Sequence, residues 1–503
     1  MPGKRPRQMT FRDLLVSRGL EATVRAANPW WQGERIVDLP PVRRWAFGSV
    51  LSGLTKGLTP AVVLRGPRQV GKTTLLNQVI HALLDDGIDP TRIFRVQFDD
   101  LPDLRRLSMP IIEMCGWYAE SVLGMSLHQA ARTGQKAFIF LDEVQNLRDW
   151  APQLKSLVDL NPLRVLVTGS SALRIEAGRD SLAGRVTSIE MGPLLLREVA
   201  QIRSFGHLPA FLPENGLSPL RDKTFWTGLR DFGQQQRDLR MQAFEAFSAR
   251  GTYPVAQARA DMPWERVADF LNETVIRRAI QHDLRMGPRG QKRDETLLAE
   301  VFRLACRYAG QSPKQALYLE ELRQALHANI GWQRVLAYLR FLDGTLLVRL
   351  IEPLELRLKR KRGPSKLCLC DHALRAAWLQ EVVPLAPATL EQHPHLADLA
   401  GRLAESTVGY FFRSIIGLDV AHFPERGPEP EVDFVLTVGE QRIPVEVKYR
   451  RRIDHDDTRG LRSFIERAHY NAPFGVIVTL LDEPATDDPR IVSVPLSSLL
   501  LLR

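Results

Sequence analysis

The segment Ala61–Thr74 holds the residues whose types and spacing point most directly to chemistry. It reads AVVLRGPRQVGKTT, an apolar run that enters a loop with glycine, lysine and threonine at G-x-x-x-x-G-K-T spacing. Glycines in such a loop let backbone N–H groups surround a polyphosphate, and the following helix directs its dipole at the same place. Lys72 is expected to reach the β- and γ-phosphates, and Thr73 to bind Mg²⁺. The predicted nucleotide contacts are Gly66, Pro67, Arg68, Gln69, Val70, Gly71, Lys72, Thr73 and Thr74.

A second motif follows in FIFLDEVQNL, residues 138–147. Its apolar half predicts a buried strand, and Asp142 and Glu143 come at the carboxyl end, where ligands bind in open parallel sheets. Asp142 is expected to hold Mg²⁺ through water, and Glu143 to orient or deprotonate the water that attacks the phosphate. An acid pair at a strand end can also be a helix cap, but the phosphate loop upstream favours the catalytic interpretation.

The next predicted strand, in RVLVTGSSALRI, ends in a polar run that includes Ser170. A hydroxyl there could contact the γ-phosphate or the attacking water, so Ser170 is a further predicted nucleotide contact. Arg185, in the segment SLAGRV, could stabilise transition-state charge at the nucleotide of a neighbouring subunit. That catalytic role predicts a homo-oligomer. The alternative is a surface salt bridge, which is the commoner role of a single arginine.

A second group of acids lies near the carboxyl terminus, in EVDFVLTVGEQRIPVEVKYR, residues 431–450. The pattern predicts two strands joined by a glycine turn, with Asp433 on the first strand. Glu446 and Lys448 lie two residues apart on the second strand, so they share one of its faces. Glu405, on a predicted helix upstream, is a further acid. Taken in isolation, this pattern is best explained as a salt-bridged hairpin.

An acid on a helix, then Asp, then Glu-x-Lys resembles the arrangement of restriction-endonuclease-like PD-(D/E)xK nucleases. The resemblance implies that Asp433 and Glu446, assisted by Glu405, hold one or two Mg²⁺ ions that polarise a phosphodiester. Lys448 would position the attacking water or neutralise developing charge, and Arg450–Arg452 would grip the nucleic-acid backbone. Such a fold can also serve as a binding or regulatory module without cleavage.

Several segments together resemble a family of prokaryotic AAA-like P-loop ATPases, of the signal-transducing and archaeal branch. They are GPRQVGKTT, FLDEVQNL, VTGSSALRI, LAGRV, GPLLLREV with Pro193 and Glu198, ARGTYP at residues 249–254, and CDHALRA around Asp371. The resemblance covers most of residues 45–455. It implies ATP binding, Mg²⁺-dependent hydrolysis and a C-terminal domain of unknown function. An insertion between Ile202 and Gln242 departs from the family pattern.

The elements that must position these residues can be predicted from the periodicity. Alternating apolar strands and helices over residues 51–200 predict a parallel α/β sheet. Its predicted strands are Ala61–Leu64, Ile93–Phe98, Ala137–Leu141 and Arg164–Thr168.

Residues 295–378 have a different pattern. Three predicted helices, at residues 295–309, 319–327 and 332–342, precede two apolar strands with the basic run RLKRKRGPSK, residues 357–366, between them. That order is typical of a winged helix, whose third helix enters the DNA major groove. The alternative is a winged helix that packs against the ATPase domain and binds no DNA.

A chain of 503 residues is too long for a single core. The predicted fold class is therefore multidomain α/β. The predicted domains are an N-terminal helical arm (1–50) anchored by Trp30 and Trp31, a P-loop ATPase domain (51–200), an insertion and helical lid (201–290), a winged helix (291–382), and a nuclease-like α/β domain (383–503).

Composition limits the class of protein. The net charge of +10 is compatible with a polyanion partner, and its basic clusters fall at Lys4–Arg7, residues 357–366 and Lys448–Arg452. The chain lacks an apolar run of about 18 residues, so a membrane-spanning helix is not expected. Four cysteines do not make a disulfide framework for a chain of this size. A cytoplasmic protein is therefore expected.

These features predict an ATPase whose Mg²⁺-dependent hydrolysis is coupled to a C-terminal domain that binds nucleic acid, DNA in the first instance, and could cleave it. A role in defence or in mobile-element biology is implied by the resemblance and by no residue. The alternative is an ATP-operated signalling switch, whose C-terminal domain binds an unidentified protein partner and cuts nothing.

Overall fold

A computed structural model describes residues 20–99, 102–147, 149–169, 182–212, 216–283, 294–355, 363–425, 427, 429–483 and 486–503. The chain divides into two compact units, residues 1–191 and 192–503. The predicted boundary between arm and ATPase domain at residue 50 falls inside the first unit. The predicted lid, winged helix and nuclease-like domain all fall inside the second.

A five-stranded parallel sheet forms the centre of the first unit, in the order β2-β3-β4-β1-β5. Its strands are β1 (Ala61–Arg65), β2 (Ile93–Gln97), β3 (Phe138–Asp142), β4 (Arg164–Gly169) and β5 (Val186–Glu190). The predicted parallel α/β sheet is confirmed, and β5 is added to the four predicted strands. Because both faces of such a sheet are covered, its central strands are continuous apolar runs, and β3 is buried throughout.

Helices precede the first strand of this sheet and connect its strands along the chain. They are α1 (Leu20–Ala26), α2 (Ala46–Lys56), α3 (Lys72–Asp85), α4 (Pro110–Tyr118), α5 (Leu127–Arg132) and α6 (Trp150–Leu160). The indole N–H groups of Trp30 and Trp31 both donate to the carbonyl oxygen of Ile93, at 3.0 and 2.8 Å. Trp31 also stacks on Tyr118. These contacts attach the N-terminal arm to the edge strand β2.

The second unit begins with helices and an antiparallel hairpin. The helices are α7 (Leu196–Ile202), α8 (Lys223–Gln235), α9 (Arg237–Arg250), α10 (Pro254–Ala258), α11 (Trp264–Leu271), α12 (Glu295–Arg307), α13 (Gln315–Leu326) and α14 (Trp332–Gly344). The hairpin consists of β6 (Val348–Ile351) and β7 (Lys366–Leu369). Helices α12–α14 and this hairpin lie where the sequence predicts a winged helix. The basic residues 357–362 between the strands lie outside the described residues.

A mixed five-stranded sheet closes the second unit, in the order β12-β11-β10-β9-β8. Its strands are β8 (Asp419–Phe423), β9 (Val432–Val438), β10 (Gln441–Lys448), β11 (Gly475–Thr479) and β12 (Ile491–Pro495). The helices in this part of the chain are α15 (His372–Leu379), α16 (Pro387–Glu391), α17 (Ala397–Ser414), α18 (Arg459–Ile465) and α19 (Leu496–Leu499). β8, β9 and β10 pair antiparallel, and β10, β11 and β12 pair parallel.

The insertion after Ile202, for which the sequence suggests no role, packs on the end of the chain. Backbone N–H groups of Phe211 and Leu212 donate to the carbonyl oxygens of Leu501 and Leu502, each at 2.9 Å. The guanidinium of Arg240 on α9 is fully buried and donates to both carboxylate oxygens of Asp482, at 2.7 and 2.9 Å. The insertion therefore helps to form the C-terminal part of the second unit.

Within the described ranges, no helix is long and apolar enough to cross a membrane.

Candidate functional site

The loop between β1 and α3 has the shape that its glycines predict. Gly71 has a φ of 91° and Gln69 a φ of 63°, so both take the left-handed conformation that turns backbone amides inward. Lys72 begins α3 and is buried, and its ammonium donates to the carbonyl oxygens of Gly66 (3.1 Å) and Pro67 (2.8 Å). The lysine therefore already lies folded over the loop that would hold the phosphates.

Thr73 and Asp142 meet although they are far apart in the sequence. The Thr73 hydroxyl donates to Oδ2 of Asp142 at 3.0 Å, and the Asp142 side chain is fully buried. Nη2 of Arg95 lies 3.6 Å from the same carboxylate oxygen. A hydroxyl beside a carboxylate is the donor set that Mg²⁺ uses in phosphate-binding loops. The residues present therefore fit a Mg²⁺ ion held by Thr73 and, through water, by Asp142.

The surroundings of Asp142 shift its pKa in two opposite directions. Burial raises the pKa of Asp142, and the charge of Glu143 raises it further. Hydrogen bonds from Thr168 and Thr73 and the charge of Arg95 act in the opposite direction. A divalent ion next to Asp142 would counter the cost of keeping this carboxylate ionised away from water.

Glu143 has a backbone conformation that side-chain-bearing residues rarely adopt. Its φ of 54° and ψ of 44° are left-handed, which costs roughly 1–3 kcal/mol and is typical of functional positions. Its backbone N–H donates to Oγ1 of Thr168 at 3.1 Å, and the side-chain amide of Gln145 donates to its carboxylate. Glu143 directly precedes the short helical turn Val144–Asn146, but its side chain forms no capping hydrogen bond to that turn. The structure therefore does not support the helix-capping role that the sequence left open.

Thr168, near the end of β4, belongs to the polar run for which the sequence predicts a contact with the γ-phosphate or the attacking water. Its hydroxyl donates to Oδ1 of Asp142 and accepts from the backbone of Glu143, so it joins the two acids. β4 lies between β1 and β3 in the sheet, which places its carboxyl end beside both motifs. The polar end of a buried strand was the available signal. Ser170, the residue of this run that is predicted as a nucleotide contact, lies outside the described residues.

Arg185 is found in the salt bridge that was the alternative to a catalytic role. Its Nη2 lies 3.0 Å from Oδ2 of Asp159 on α6. β5 runs parallel to β1 with Val186 beside Ala61, so Arg185 lies at the amino edge of the sheet. The phosphate loop follows the opposite, carboxyl edge of β1. The nucleotide of its own chain is therefore out of reach of Arg185.

The C-terminal acids predicted from the sequence do come together. Glu405 comes from α17, Asp433 from β9, and Glu446 and Lys448 from β10. Oδ2 of Asp433 accepts the backbone N–H of Val447 at 2.8 Å, and Lys448 Nζ lies 2.7 Å from Oε1 of Glu446. We call these four side chains, together with Lys366, the C-terminal cluster.

Lys366 occupies the centre of this cluster, among the acids that the sequence predicts to hold Mg²⁺. It belongs to the run RLKRKRGPSK, but the structure buries it at the start of β7 with 1% of its side chain exposed. Its ammonium pairs with Glu405, lies 3.0 Å from Oδ1 of Asp433, and lies 3.6 Å from Glu431. In the part of the chain that the structure describes, no three His, Cys, Asp or Glu side chains are grouped to hold a metal. With the Lys366 ammonium paired to them, Glu405 and Asp433 do not fit a resident Mg²⁺ ion in this geometry.

Charges inside the C-terminal cluster shift its titration. Burial alone would lower the pKa of Lys366, but Asp433 and Glu405 outweigh it and hold that pKa well above its ordinary value. Burial raises the pKa of Glu446 to about 8, and the charge of Asp433 contributes. Burial likewise raises the pKa of Glu405, again helped by Asp433. The lysine therefore stays charged, and Asp433 is its main anionic partner.

Comparisons with known proteins agree with the geometry of the first site. Residues 58–200 match a family model described as an AAA domain, and residues 400–499 match a domain of unknown function, DUF4143. The strand order, the loop and this match define an AAA-type P-loop ATPase domain in the first part of the chain. The second match agrees with the predicted C-terminal region of unknown function, and its description assigns no activity.

Relatives are similar over part of their length. An uncharacterized protein of Methanocaldococcus jannaschii is 33% identical over 138 residues, 27% of each chain. An uncharacterized protein of Mycobacterium tuberculosis is 32% identical over 143 residues, 28% of this chain and 26% of the relative. The match thus spans about a quarter of these relatives. A crystal structure of Cdc6p from Pyrobaculum aerophilum aligns with 68% of this chain and 95% of its own, at 13% identity, but its TM-score of 0.25 supports no argument.

Proposed function

We propose that the first unit binds ATP and hydrolyses it with Mg²⁺. The observation that carries the proposal is the contact between the Thr73 hydroxyl and the buried Asp142 carboxylate, next to the loop that holds Lys72. Local sequence could put a lysine and a threonine in the loop, but the contact with Asp142 depends on the sheet. An AAA-type domain match over the same residues supports this reading.

Each residue has a defined task in this reaction. Lys72 exchanges its hydrogen bonds to the carbonyl oxygens of Gly66 and Pro67 for hydrogen bonds to phosphate oxygens. Its positive charge then stabilises the negative charge of the nucleotide. Thr73 and, through water, Asp142 would hold Mg²⁺, which would supply positive charge to the phosphates. Glu143, released from Gln145, orients the attacking water and accepts its proton. Thr168 links the Asp142 carboxylate to the backbone of Glu143 and so fixes both acids in position.

Nucleotide binding and phosphate release test this proposal directly. Purified protein should bind a fluorescent ATP analogue and release phosphate with Mg²⁺, and Lys72→Ala should lose both. Lys56→Ala, a substitution at an exposed lysine in the same unit, is the matched control and should behave as wild type. If wild type shows neither affinity for adenine nucleotide nor phosphate release, the proposal is wrong.

For the second unit we propose binding of nucleic acid, DNA in the first instance, under the control of ATP. Its support is the order of α12, α13, α14 and the hairpin β6–β7, together with the basic runs at 357–366 and 448–452. The prediction of cleavage has less support, because Lys366 fills the space where the metal was expected. This observation favours the second candidate, an ATP-operated switch whose C-terminal domain cuts nothing.

A single comparison separates the two candidates. Plasmid and single-stranded DNA are incubated with Mg²⁺ or Mn²⁺ and ATP, using wild type, Glu446→Ala and the exposed control Glu440→Ala. Cleavage by wild type that Glu446→Ala abolishes and Glu440→Ala preserves would establish the nuclease. Binding in a gel-shift assay without cleavage is the result expected of the switch. Absence of both binding and cleavage would remove nucleic acid as the partner.

A further inference from the structure

Lys366 is a buried lysine of the second unit. Neither the proposed ATP hydrolysis nor the proposed binding of nucleic acid explains its burial. It is the first residue of β7, on a hairpin that precedes the C-terminal sheet in the chain. Its ammonium nevertheless reaches α17 and β9, where it contacts Glu405 and Asp433. Its position 5.1 Å above the ring of Phe434 adds a favourable contact with the aromatic face.

The ammonium uses the oxygen atoms that a divalent ion would need. Mg²⁺ requires oxygen ligands at about 2.0–2.1 Å in a near-octahedral arrangement. Oδ1 of Asp433 and Oε1 of Glu405 are instead turned toward Nζ of Lys366, and Oδ2 of Asp433 accepts a backbone N–H. A second cation placed there would face a buried positive charge at short range.

One acid of the cluster still has an unused oxygen. Oε2 of Glu446 is buried and has no hydrogen-bond partner among the described residues, whereas its Oε1 is paired with Lys448. A buried carboxylate oxygen without a donor is costly unless a cation or a proton satisfies it. The cluster thus contains a carboxylate that could accept a cation if one had access.

We propose that Lys366 is the resident cation of the C-terminal cluster and closes it to Mg²⁺ and Mn²⁺. Removal of its ammonium opens a divalent-metal site formed by Glu405, Asp433 and Glu446. The ammonium is thus an internal substitute for the metal that the motif alone predicts. The inference concerns only the second unit, and it does not depend on ATP hydrolysis by the first.

Mn²⁺ binding to the full chain tests the inference. The background is Asp142→Asn without nucleotide, which removes the metal ligand of the first unit. In this background, Mn²⁺ titration followed by electron paramagnetic resonance should detect no tight site. Addition of Lys366→Met should create a site whose affinity for Mn²⁺ is at least about 10-fold higher than any binding by the background chain. Adding Asp433→Asn to Lys366→Met should abolish that site. Lys448→Met, which removes the other lysine of the cluster, is the matched control and should create none.

Thermal unfolding supplies a second measurement. Mn²⁺ should raise the Tm of the Lys366→Met chain and leave that of the Asp142→Asn background unchanged, because binding to the folded state alone stabilises it. A folded Lys366→Met chain without new Mn²⁺ affinity overturns the inference.

The background chain decides the question even if Lys366→Met does not fold. Tight Mn²⁺ binding by Asp142→Asn that is lost in Glu405→Gln or Asp433→Asn would show a metal site with Lys366 in place, and would overturn the inference. Absence of such binding supports it. Failure of ATP hydrolysis is measured separately, on wild type, and does not affect this result.

Discussion

Asp142 in the first unit and Asp433 in the second are both buried carboxylates, yet they face different partners. Asp142 accepts hydrogen bonds from two threonine hydroxyls, and Nη2 of Arg95 lies 3.6 Å from its carboxylate. Asp433 faces the Lys366 ammonium at 3.0 Å. In our two proposals, the hydroxyl groups at Asp142 leave room for a metal ion, whereas the ammonium at Asp433 takes the place of one. Similar acid motifs therefore differ in chemistry because of their neighbours.

The largest effect is expected at the acid next to Asp142 in the first unit. Glu143→Gln should slow ATP hydrolysis by about 10²- to 10⁴-fold while ATP still binds, since the amide cannot accept the proton of the attacking water. Phosphate release and nucleotide affinity are measured on the same sample. Glu120→Gln, at an exposed acid in the same unit, should retain full activity. Normal hydrolysis by Glu143→Gln would assign the water-positioning role to another residue.

The second test removes the Lys366 ammonium from the C-terminal cluster. Lys366→Met should lower the free energy of unfolding by about 3–5 kcal/mol in the presence of a chelator, because buried acids lose their counter-charge. Urea denaturation measures the change, and Lys314→Met, at an exposed lysine, should cost little. Unchanged stability would mean that the Lys366 contacts with Asp433 and Glu405 contribute nothing.

A third test concerns the hydroxyl that joins the acids of the first site. Thr168→Val should slow ATP hydrolysis by about 10- to 100-fold, the worth of a hydrogen bond to a charged group. Steady-state phosphate release measures this change. Thr187→Val removes an exposed hydroxyl of β5, paired with Thr59 at 2.8 Å, and should leave the rate unchanged. Equal rates in the two variants would deny Thr168 its positioning role.

The pH dependence of the free energy of unfolding distinguishes the C-terminal cluster from an ordinary surface ion pair. The pKa of Glu446 is raised to about 8 in the folded state, so its contribution to stability is present at low pH and is lost as the pH rises through 8. Glu446→Gln cannot ionise. Relative to wild type, the free energy of unfolding of Glu446→Gln should therefore rise steadily between pH 5 and pH 8.5.

Urea denaturation at several pH values, with chelator present, measures this difference. Glu440→Gln, at an exposed glutamate of the β9–β10 turn, is the control and should follow wild type. Parallel profiles for wild type and Glu446→Gln would mean that Glu446 titrates near its ordinary pKa.

The smallest effect is expected at Arg185. Because it is paired with Asp159, Arg185→Ala should leave ATP hydrolysis per chain unchanged at low and at high protein concentration. An arginine that acts on a neighbouring subunit would instead cost about 10³-fold or more, and wild-type activity would rise with protein concentration. Asp159→Ala, which breaks the same pair, is the matched control. A loss restricted to Arg185→Ala would restore the catalytic role and the oligomer with it.

Much of the first site could be predicted because its determinants are local. The loop spacing around Lys72 and the acids after the β3 strand are short motifs on contiguous residues, and each describes its own strand and turn. The Thr73–Asp142 contact follows from the general rule that parallel strands present their carboxyl ends at one edge. The polar run at the end of β4 was predicted to contact phosphate or water, but the contact of Thr168 with Asp142 depends on β4 lying between β1 and β3. The strand order is not written in any single segment.

The sequence alone determined that a phosphate loop, a strand-end acid pair and a D…E-x-K hairpin exist in this chain. Only the tertiary structure decided what each acid faces. In the sequence Lys366 is one more charge in a basic run. In the structure its side chain is buried, because it reaches Glu405 on α17 and Asp433 on β9. The physical reason is that charge is encoded residue by residue, whereas desolvation and charge pairing depend on which distant segments share an interior.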